Sequence, residues 1–133
     1  MRELKFRVQA IDKQDDKYWI FIDLKKSSRN PLVTGKAHGN LLDLKTVGQF
    51  TGLLDKNGVE IYEGDVIKGG VRTMKVIYNQ SFCQYWLVWE NKEKRLCFEH
   101  LKSSYKSNNF TDDGLEIIGN IYENKEYEYL LTL

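Results

Sequence analysis

The sequence predicts a mainly β protein, and three observations support this fold class. Tyr, Phe, Trp, Val and Ile, which are enriched in strands, are frequent, and aromatic residues make up 13% of the 133 residues. Apolar and polar residues alternate in short runs, which is the period of half-buried strands. Turn-forming Asp, Asn and Gly residues separate these runs. A chain of this length is expected to form one domain, residues 1–133, with its own core.

The N-terminal residues predict a β-hairpin. Leu4 to Ala10 alternate between apolar and polar residues, and Tyr18 to Leu24 do so again after the polar segment Asp12 to Lys17. Trp19 and Phe21 fall on the face opposite to the other apolar residues of the second strand. We therefore expect that face to be covered by another part of the chain or by a partner.

The middle of the chain alternates between loops and strands. Lys25 to Asn40 predict a basic, mobile loop with a short strand at Leu32–Val33. After a short turn, we expect a strand at Thr46–Thr51 and then a tight turn centred on Asn57-Gly58. Further strands are predicted at Val59–Tyr62, Asp65–Lys68, Val71–Tyr78, Phe82–Glu90, Lys94–Leu101 and Leu115–Ile121.

The C-terminal part combines a loop with a helix. Ser103 to Gly114 are rich in Ser and Asn and predict a loop with Phe110 as its single apolar anchor. Asn124 is expected to cap a short helix, Lys125–Leu131.

Three motifs carry a family resemblance. They are Leu4-Lys5-Phe6-Arg7, the segment from Phe50-Thr51-Gly52-Leu53 through Asp55-Lys56-Asn57-Gly58 to Ile61-Tyr62-Glu63-Gly64-Asp65, and Ile117-Ile118-Gly119-Asn120-Ile121-Tyr122-Glu123-Asn124. The chain thereby resembles the YopX-like proteins of phages and prophages, a family without a characterised biochemical activity. The resemblance implies a phage or prophage setting. It also implies an SH3-like β-barrel core, about residues 41–122, to which the N-terminal hairpin and the short C-terminal helix are added. The resemblance assigns no catalytic residue to this chain.

The carboxylates around the central turns are predicted to stabilise those turns and not to bind a metal ion or catalyse a reaction. Asp55, Glu60, Glu63 and Asp65 lack the spacing of a calcium loop, and no His accompanies them. We interpret Asp55 and Asp65 as turn residues whose carboxylates accept backbone N–H groups. No nucleophile with a partner base and no phosphate-binding glycine loop is present in the sequence. We therefore expect a protein that is not an enzyme and has no catalytic residue.

The cysteines and histidines predict no metal site and no cofactor. A zinc site usually has ligands in closely spaced pairs, and Cys83, Cys97, His38 and His100 are not spaced in this way. A hairpin that turns at Asn91-Lys92 would place Cys83 near His100 or Leu101 rather than near Cys97. Both cysteines are therefore expected to be reduced and buried thiols.

The strand predicted at Phe82–Glu90 has two apolar faces. Cys83, Tyr85, Leu87 and Trp89 alternate with Phe82, Trp86 and Val88. Such a strand is either covered on both faces or meets a partner on one of them. The C-terminal Tyr127, Tyr129, Leu130, Leu131 and Leu133 are candidates for this cover, in the same chain or in another copy. Periodicity leaves both arrangements open.

The first functional hypothesis follows from this strand. It is a non-enzymatic phage or prophage accessory protein that acts by protein–protein contact, as a homo-oligomer or with a phage or host protein. Tyr and Trp are favoured at such interfaces. The candidate interaction residues are Trp86, Trp89, Phe98 and Tyr105.

The second hypothesis is nucleic-acid binding by a basic face of a small β-barrel. The net charge is only +1, but bases are concentrated in parts of the chain. The candidate phosphate contacts are Arg29, Lys92, Lys94, Arg95 and Lys102, with Phe98 or Tyr105 for base stacking. The same lysines also fit solvated strand edges, where Lys discourages edge pairing.

The hydropathy of the chain predicts no membrane attachment. No apolar run is long enough to span a bilayer, and the first residues are charged where a signal peptide would be apolar. Reduced thiols also fit the bacterial cytoplasm. We therefore expect a cytoplasmic protein.

Overall fold

The computed structural model describes residues 3–25, 31–101 and 114–132 and confirms the mainly β class. The chain divides into two compact units, Met1–Gly52 and Leu53–Leu133. In the described ranges the strands form two antiparallel sheets, and the end strands of the second sheet do not pair to close a barrel. The SH3-like barrel is therefore not confirmed, and a single domain over residues 1–133 stays a prediction.

The first unit is built on a sheet with the order β2-β1-β4-β3. Its elements are β1 (Lys5–Ile11), β2 (Lys17–Asp23), the one-turn helix α1 (Pro31–Thr34), β3 (Lys36–Ala37) and β4 (Asn40–Leu54), whose last residues enter the second unit. The predicted hairpin is confirmed, with Val8 opposite Ile20. Val8 also belongs to the buried core on one face of this sheet, together with Ala10, Ile22 and Leu42.

The other face of the first sheet is partly covered, as the sequence indicated. The Arg7 guanidinium lies 4.5 Å from the centroid of the Trp19 ring, and both Arg7 and its neighbour Gln9 are buried. Phe21, on the same face, remains 63% exposed.

One local prediction for the first unit was wrong, and one predicted strand is longer than expected. A helix replaces the strand expected at Leu32–Val33, because the fixed φ of Pro31 suits a first helical position and Gly35 N–H closes the turn on the Pro31 carbonyl at 2.8 Å. The strand expected at Thr46–Thr51 begins earlier, since β4 starts at Asn40. A bulge interrupts its alternation, and there the Thr46 hydroxyl accepts the Gln9 N–H at 2.8 Å.

The second unit contains the remaining strands and a C-terminal helix. Its elements are β5 (Glu60–Tyr62), β6 (Asp65–Gly69), β7 (Arg72–Asn79), β8 (Gln84–Glu90), β9 (Leu96–His100), β10 (Glu116–Asn120) and a 3₁₀ helix (Lys125–Thr132). The strand order of its sheet is β10-β6-β7-β8-β9, antiparallel throughout. β8 is shorter than predicted, because Phe82 and Cys83 belong to the preceding turn. Its core is formed by Ile61, Ile67, Met74, Val76, Leu87, Trp89, Leu101 and Leu115.

The predicted C-terminal helix is present, but the predicted side-chain cap is wrong. The Tyr127 N–H donates to the backbone carbonyl of Asn124 at 3.0 Å. The side-chain oxygen of Asn124 instead accepts the backbone N–H of Asn120. Leu130, near the end of this helix, is fully buried within the chain. No helix among the described residues is long and apolar enough to cross a membrane.

Candidate functional site

The carboxylate of Asp55 connects its own turn to a distant strand of the second unit. Oδ1 accepts the backbone N–H groups of Asn57 at 2.8 Å and of Val59 at 2.9 Å. Oδ2 accepts the N–H of Ile117 in β10 at 3.1 Å. Asp55 is only 6% exposed, so these bonds are shielded from water. The interpretation of Asp55 as a turn residue is confirmed, and it also holds β10 in place.

The turn at Glu63-Gly64-Asp65 packs against the C-terminal motif. Asp65 accepts the Tyr62 N–H at 2.7 Å and is buried, which confirms its structural role. Gly64 has a φ of +93°, and a Cβ at this position would lie 3.0 Å from the Tyr122 ring. The Ile121 N–H donates to the Gly64 carbonyl at 3.0 Å. The two longer motifs are therefore in contact with each other.

The C-terminal motif is folded around the side chain of Asn120. Its oxygen accepts the N–H groups of Tyr122 at 3.0 Å and Glu123 at 2.9 Å, and its amide donates to the Glu123 carboxylate at 2.7 Å. A Cβ on Gly119 would lie 2.6 Å from the Asn124 side-chain oxygen, so a larger residue there would displace that side chain. These motif residues are thus engaged in structural contacts.

The described residues contain no group of three or more His, Cys, Asp or Glu side chains that could hold a metal ion. Cys83 and Cys97 are free thiols, but the prediction that both are buried was wrong, because Cys83 is exposed in the turn before β8 and Cys97 is half-buried. Cys97 lies opposite Trp89 across the β8–β9 hairpin rather than opposite Cys83.

The most prominent exposed feature is an aromatic cluster formed by Phe82, Trp86, Phe98 and His100. The Trp86 and Phe98 rings stack with centroids 4.3 Å apart and an interplanar angle of 8°. Phe82 stacks on the same indole at 5.4 Å, and the His100 ring meets it edge-on at 5.8 Å. Phe82 is 64% exposed and Phe98 51% exposed. The cluster is a preformed aromatic surface in contact with solvent.

Beyond the cluster, other residues on the same face of the sheet are buried. Val88, directly opposite Phe98, is buried, and so is Lys75, which lies opposite Val88 on β7. Burial lowers the pKa of the Lys75 amine, so this part of the face is poorly solvated. The two-faced pattern of β8 is therefore real, and one face is covered only in part.

The candidate interaction residues from the sequence fall in different places. Trp86 and Phe98 belong to the aromatic cluster. Trp89 lies on the opposite face, where it is 8% exposed in the core and its ring lies 4.4 Å below the Arg72 guanidinium. It is not available to a partner in this conformation. Tyr105 lies outside the described residues.

Sequence reasoning missed Phe82 and His100 as members of the cluster. The turn predicted at Asn91-Lys92 would place His100 near Cys83, and this register is wrong. The observed turn is closed by the Asn91–Arg95 pair and places His100 opposite Trp86. Phe82 was assigned to the strand, and its contact with Trp86 depends on the turn that precedes β8. No signal in the sequence specifies that turn geometry.

The basic candidates occupy the turn between β8 and β9. Lys92, Lys94 and Arg95 are exposed there, and the Asn91 side chain shapes the turn by accepting the N–H groups of Glu93 and Arg95. Arg29 and Lys102 lie outside the described residues.

The fold and the site together define a mainly β protein. Its motif residues stabilise the structure, and its aromatic cluster is exposed to solvent. The model of the YopX protein family matches residues 4–127, so the chain belongs to the YopX family. No curated protein matches the chain significantly.

Proposed function

We propose that this chain is a non-enzymatic accessory protein of a phage or prophage that acts in the bacterial cytoplasm by protein–protein contact and self-associates. The aromatic cluster carries this proposal. Its rings are held in one arrangement before any partner binds, which reduces the entropy lost on association. Aromatic side chains of this kind are enriched in the centres of protein interfaces.

An SH3-like core is part of the same proposal. β6 to β9 of the second unit are antiparallel and follow each other through short turns, which is compatible with such a core. The family resemblance supports this finer description of the fold.

Phe98→Ala is expected to weaken self-association about 10- to 100-fold, because an aromatic residue central to an interface contributes about 1.4–2.8 kcal/mol or more. Phe98 is half exposed, so its removal leaves the core of the monomer intact. The measurement is sedimentation equilibrium over a concentration series. Phe21→Ala, which removes another exposed ring from the first unit, serves as the matched control and is expected to change little. A strict monomer at every concentration would reject self-association and leave a phage or host protein as the partner.

Nucleic-acid binding is the second candidate function. One observation favours it: the exposed Phe98 ring lies on the same hairpin as the exposed side chains of Lys92, Lys94 and Arg95. This combination provides a stacking surface beside phosphate-binding charges.

If this function holds, Lys94→Glu with Arg95→Glu abolishes binding in fluorescence anisotropy titrations of labelled DNA and RNA. Binding by the parent chain is expected to weaken with salt, with a slope of about 0.7–0.9 per neutralised phosphate. Lys13→Glu with Lys17→Glu, an equal charge reversal on exposed residues of the first unit, is the matched control. No binding by the parent chain at low salt would retire this candidate.

A further inference from the structure

The strand β9 is at one end of the second sheet. The strand order ends at β9, and no strand among the described residues pairs with its far side. Edge strands that carry apolar residues are templates for pairing with another strand. Two apolar side chains of β9, Leu96 and Phe98, are more than half exposed.

The turn determines which backbone groups of β9 point away from β8. Asn91 N–H donates to the Arg95 carbonyl at 3.0 Å, so these two residues form a hydrogen-bonded pair. Hydrogen-bonded and non-hydrogen-bonded pairs alternate along an antiparallel ladder. Cys97 and Glu99 therefore bond to β8. The N–H and C=O groups of Leu96, Phe98 and His100 therefore point outward, away from β8.

We infer that a second copy of this chain adds its own β9 antiparallel to this edge, about a two-fold axis at Phe98. The inference rests on the self-association proposed above and specifies its interface. In this register Phe98 lies opposite the Phe98 of the second copy, and Leu96 lies opposite its His100. Each of these pairs is formed by residues whose backbone groups point outward, so each exchanges two hydrogen bonds.

A second copy fits this edge better than an unrelated strand, because the register is self-complementary. The stack of Phe82, Trp86 and Phe98 ends at the edge strand. Pairing about Phe98 places the same stack of the second copy directly beside it. A two-fold contact of this kind is closed, so it produces a dimer rather than a fibre.

The charges along the edge are also complementary in this register. Glu99 is the single carboxylate of β9, and Arg95 directly precedes the strand. Both fall on the same face. The two Glu99 side chains are diagonal neighbours in this register, and each keeps its ion pair with Arg72 of its own chain at 3.7 Å. Arg95 of one copy is the other diagonal neighbour of Glu99 in the second copy and offsets the repulsion between the carboxylates. By symmetry this contact occurs twice.

Leu96→Pro tests the backbone pairing. Proline removes an outward N–H and leaves the bonds to β8 in place, which is the setting in which an edge strand tolerates it. We expect the dimer to weaken about tenfold or more, measured by sedimentation equilibrium. Leu96→Thr loses the apolar side chain but keeps the N–H, so the difference between the two variants reports the backbone contribution. Circular dichroism checks that both variants remain folded.

Disulfide crosslinking tests the register directly, because oxidation traps the paired state even where Phe98→Cys weakens the dimer. In a chain with Cys83→Ser and Cys97→Ser, Phe98→Cys is expected to form a dimer crosslink under mild oxidation, since Cα atoms in a hydrogen-bonded pair lie about 5.5 Å apart. Leu96→Cys alone is expected not to crosslink, whereas an equimolar mixture of Leu96→Cys and His100→Cys chains does. The crosslinked dimer is detected on a non-reducing gel.

The outcomes separate this inference from the proposed function. A parent chain that is strictly monomeric overturns both. A parent dimer that withstands Leu96→Pro and gives no Phe98→Cys crosslink overturns the β9 pairing alone and leaves self-association through another surface. A dimer that is weakened by Leu96→Pro, together with the crosslink, supports the pairing.

Discussion

Replacement of Asp55 by alanine is expected to lower the free energy of unfolding by about 3 kcal/mol. The carboxylate accepts three backbone N–H groups, from Asn57, Val59 and Ile117, and all three would lose their acceptor. A buried donor that is left without a partner costs more than the average hydrogen bond contributes. Urea unfolding followed by circular dichroism measures the change as a shift of the transition midpoint.

Asp12 provides a matched control for Asp55. Its Oδ1 accepts the N–H groups two and four residues ahead, Gln14 at 2.8 Å and Asp16 at 2.9 Å, as Asp55 does in its own turn. These bonds are exposed, and no bond from the Asp12 carboxylate to a distant strand is seen among the described residues. Asp12→Ala is therefore expected to cost less than about 1 kcal/mol. Equal costs for the two variants would mean that the bond to Ile117 contributes nothing.

Asp55→Asn refines the same prediction. The amide keeps one acceptor oxygen but places an NH₂ group where a second acceptor stood. One of the three backbone donors then meets a donor, so an intermediate loss of about 1–2 kcal/mol is expected.

Gly119→Ala is expected to cost about 1–3 kcal/mol, because the added methyl group has no room. It would lie 2.6 Å from the Asn124 side-chain oxygen and 3.2 Å from the Tyr127 ring. Both neighbours belong to the segment that leads into the C-terminal helix. The Asn124 side chain and the Tyr127 ring must therefore move and give up their present contacts, and thermal or urea unfolding records the loss.

A double-mutant cycle shows whether the cost of Gly119→Ala comes from Asn124. Asn124→Ala alone gives up the bond to the Asn120 N–H, at a cost of about 1 kcal/mol. In the double variant the oxygen that meets the new methyl group is absent. The combined loss is expected to be smaller than the sum of the single losses by about 1 kcal/mol or more. Strict additivity would assign the cost of Gly119→Ala to another contact.

Local sequence patterns were sufficient to predict most of the strands and turns. The β1–β2 hairpin and the roles of Asp55 and Asp65 depend on alternation and on turn chemistry within a few residues, which the sequence displays directly. The segment at Leu32–Val33 was predicted as a short strand, although β-branched and apolar residues give only a weak preference for extended structure. There the Pro31 position and the Gly35 turn outweighed that preference.

The candidate site was only partly predictable for a different reason. Alternation along β8 placed Trp86 and Trp89 on opposite faces, and the structure shows the same separation. The pattern does not indicate which face is buried, so both tryptophans remained candidates. Phe82 joined the site through a turn whose geometry has no clear sequence signature.

By itself, the sequence determined the β class, the positions of the turns and the family motifs, because these depend on neighbouring residues. Only the tertiary structure decided that Asp55 reaches Ile117, which lies 62 positions along the chain, and that β9 is an edge strand. It also decided that one face of β8 exposes stacked rings while the other forms the core. A period of two assigns each side chain to a face, but burial depends on what packs against that face, and residues distant in sequence supply that packing.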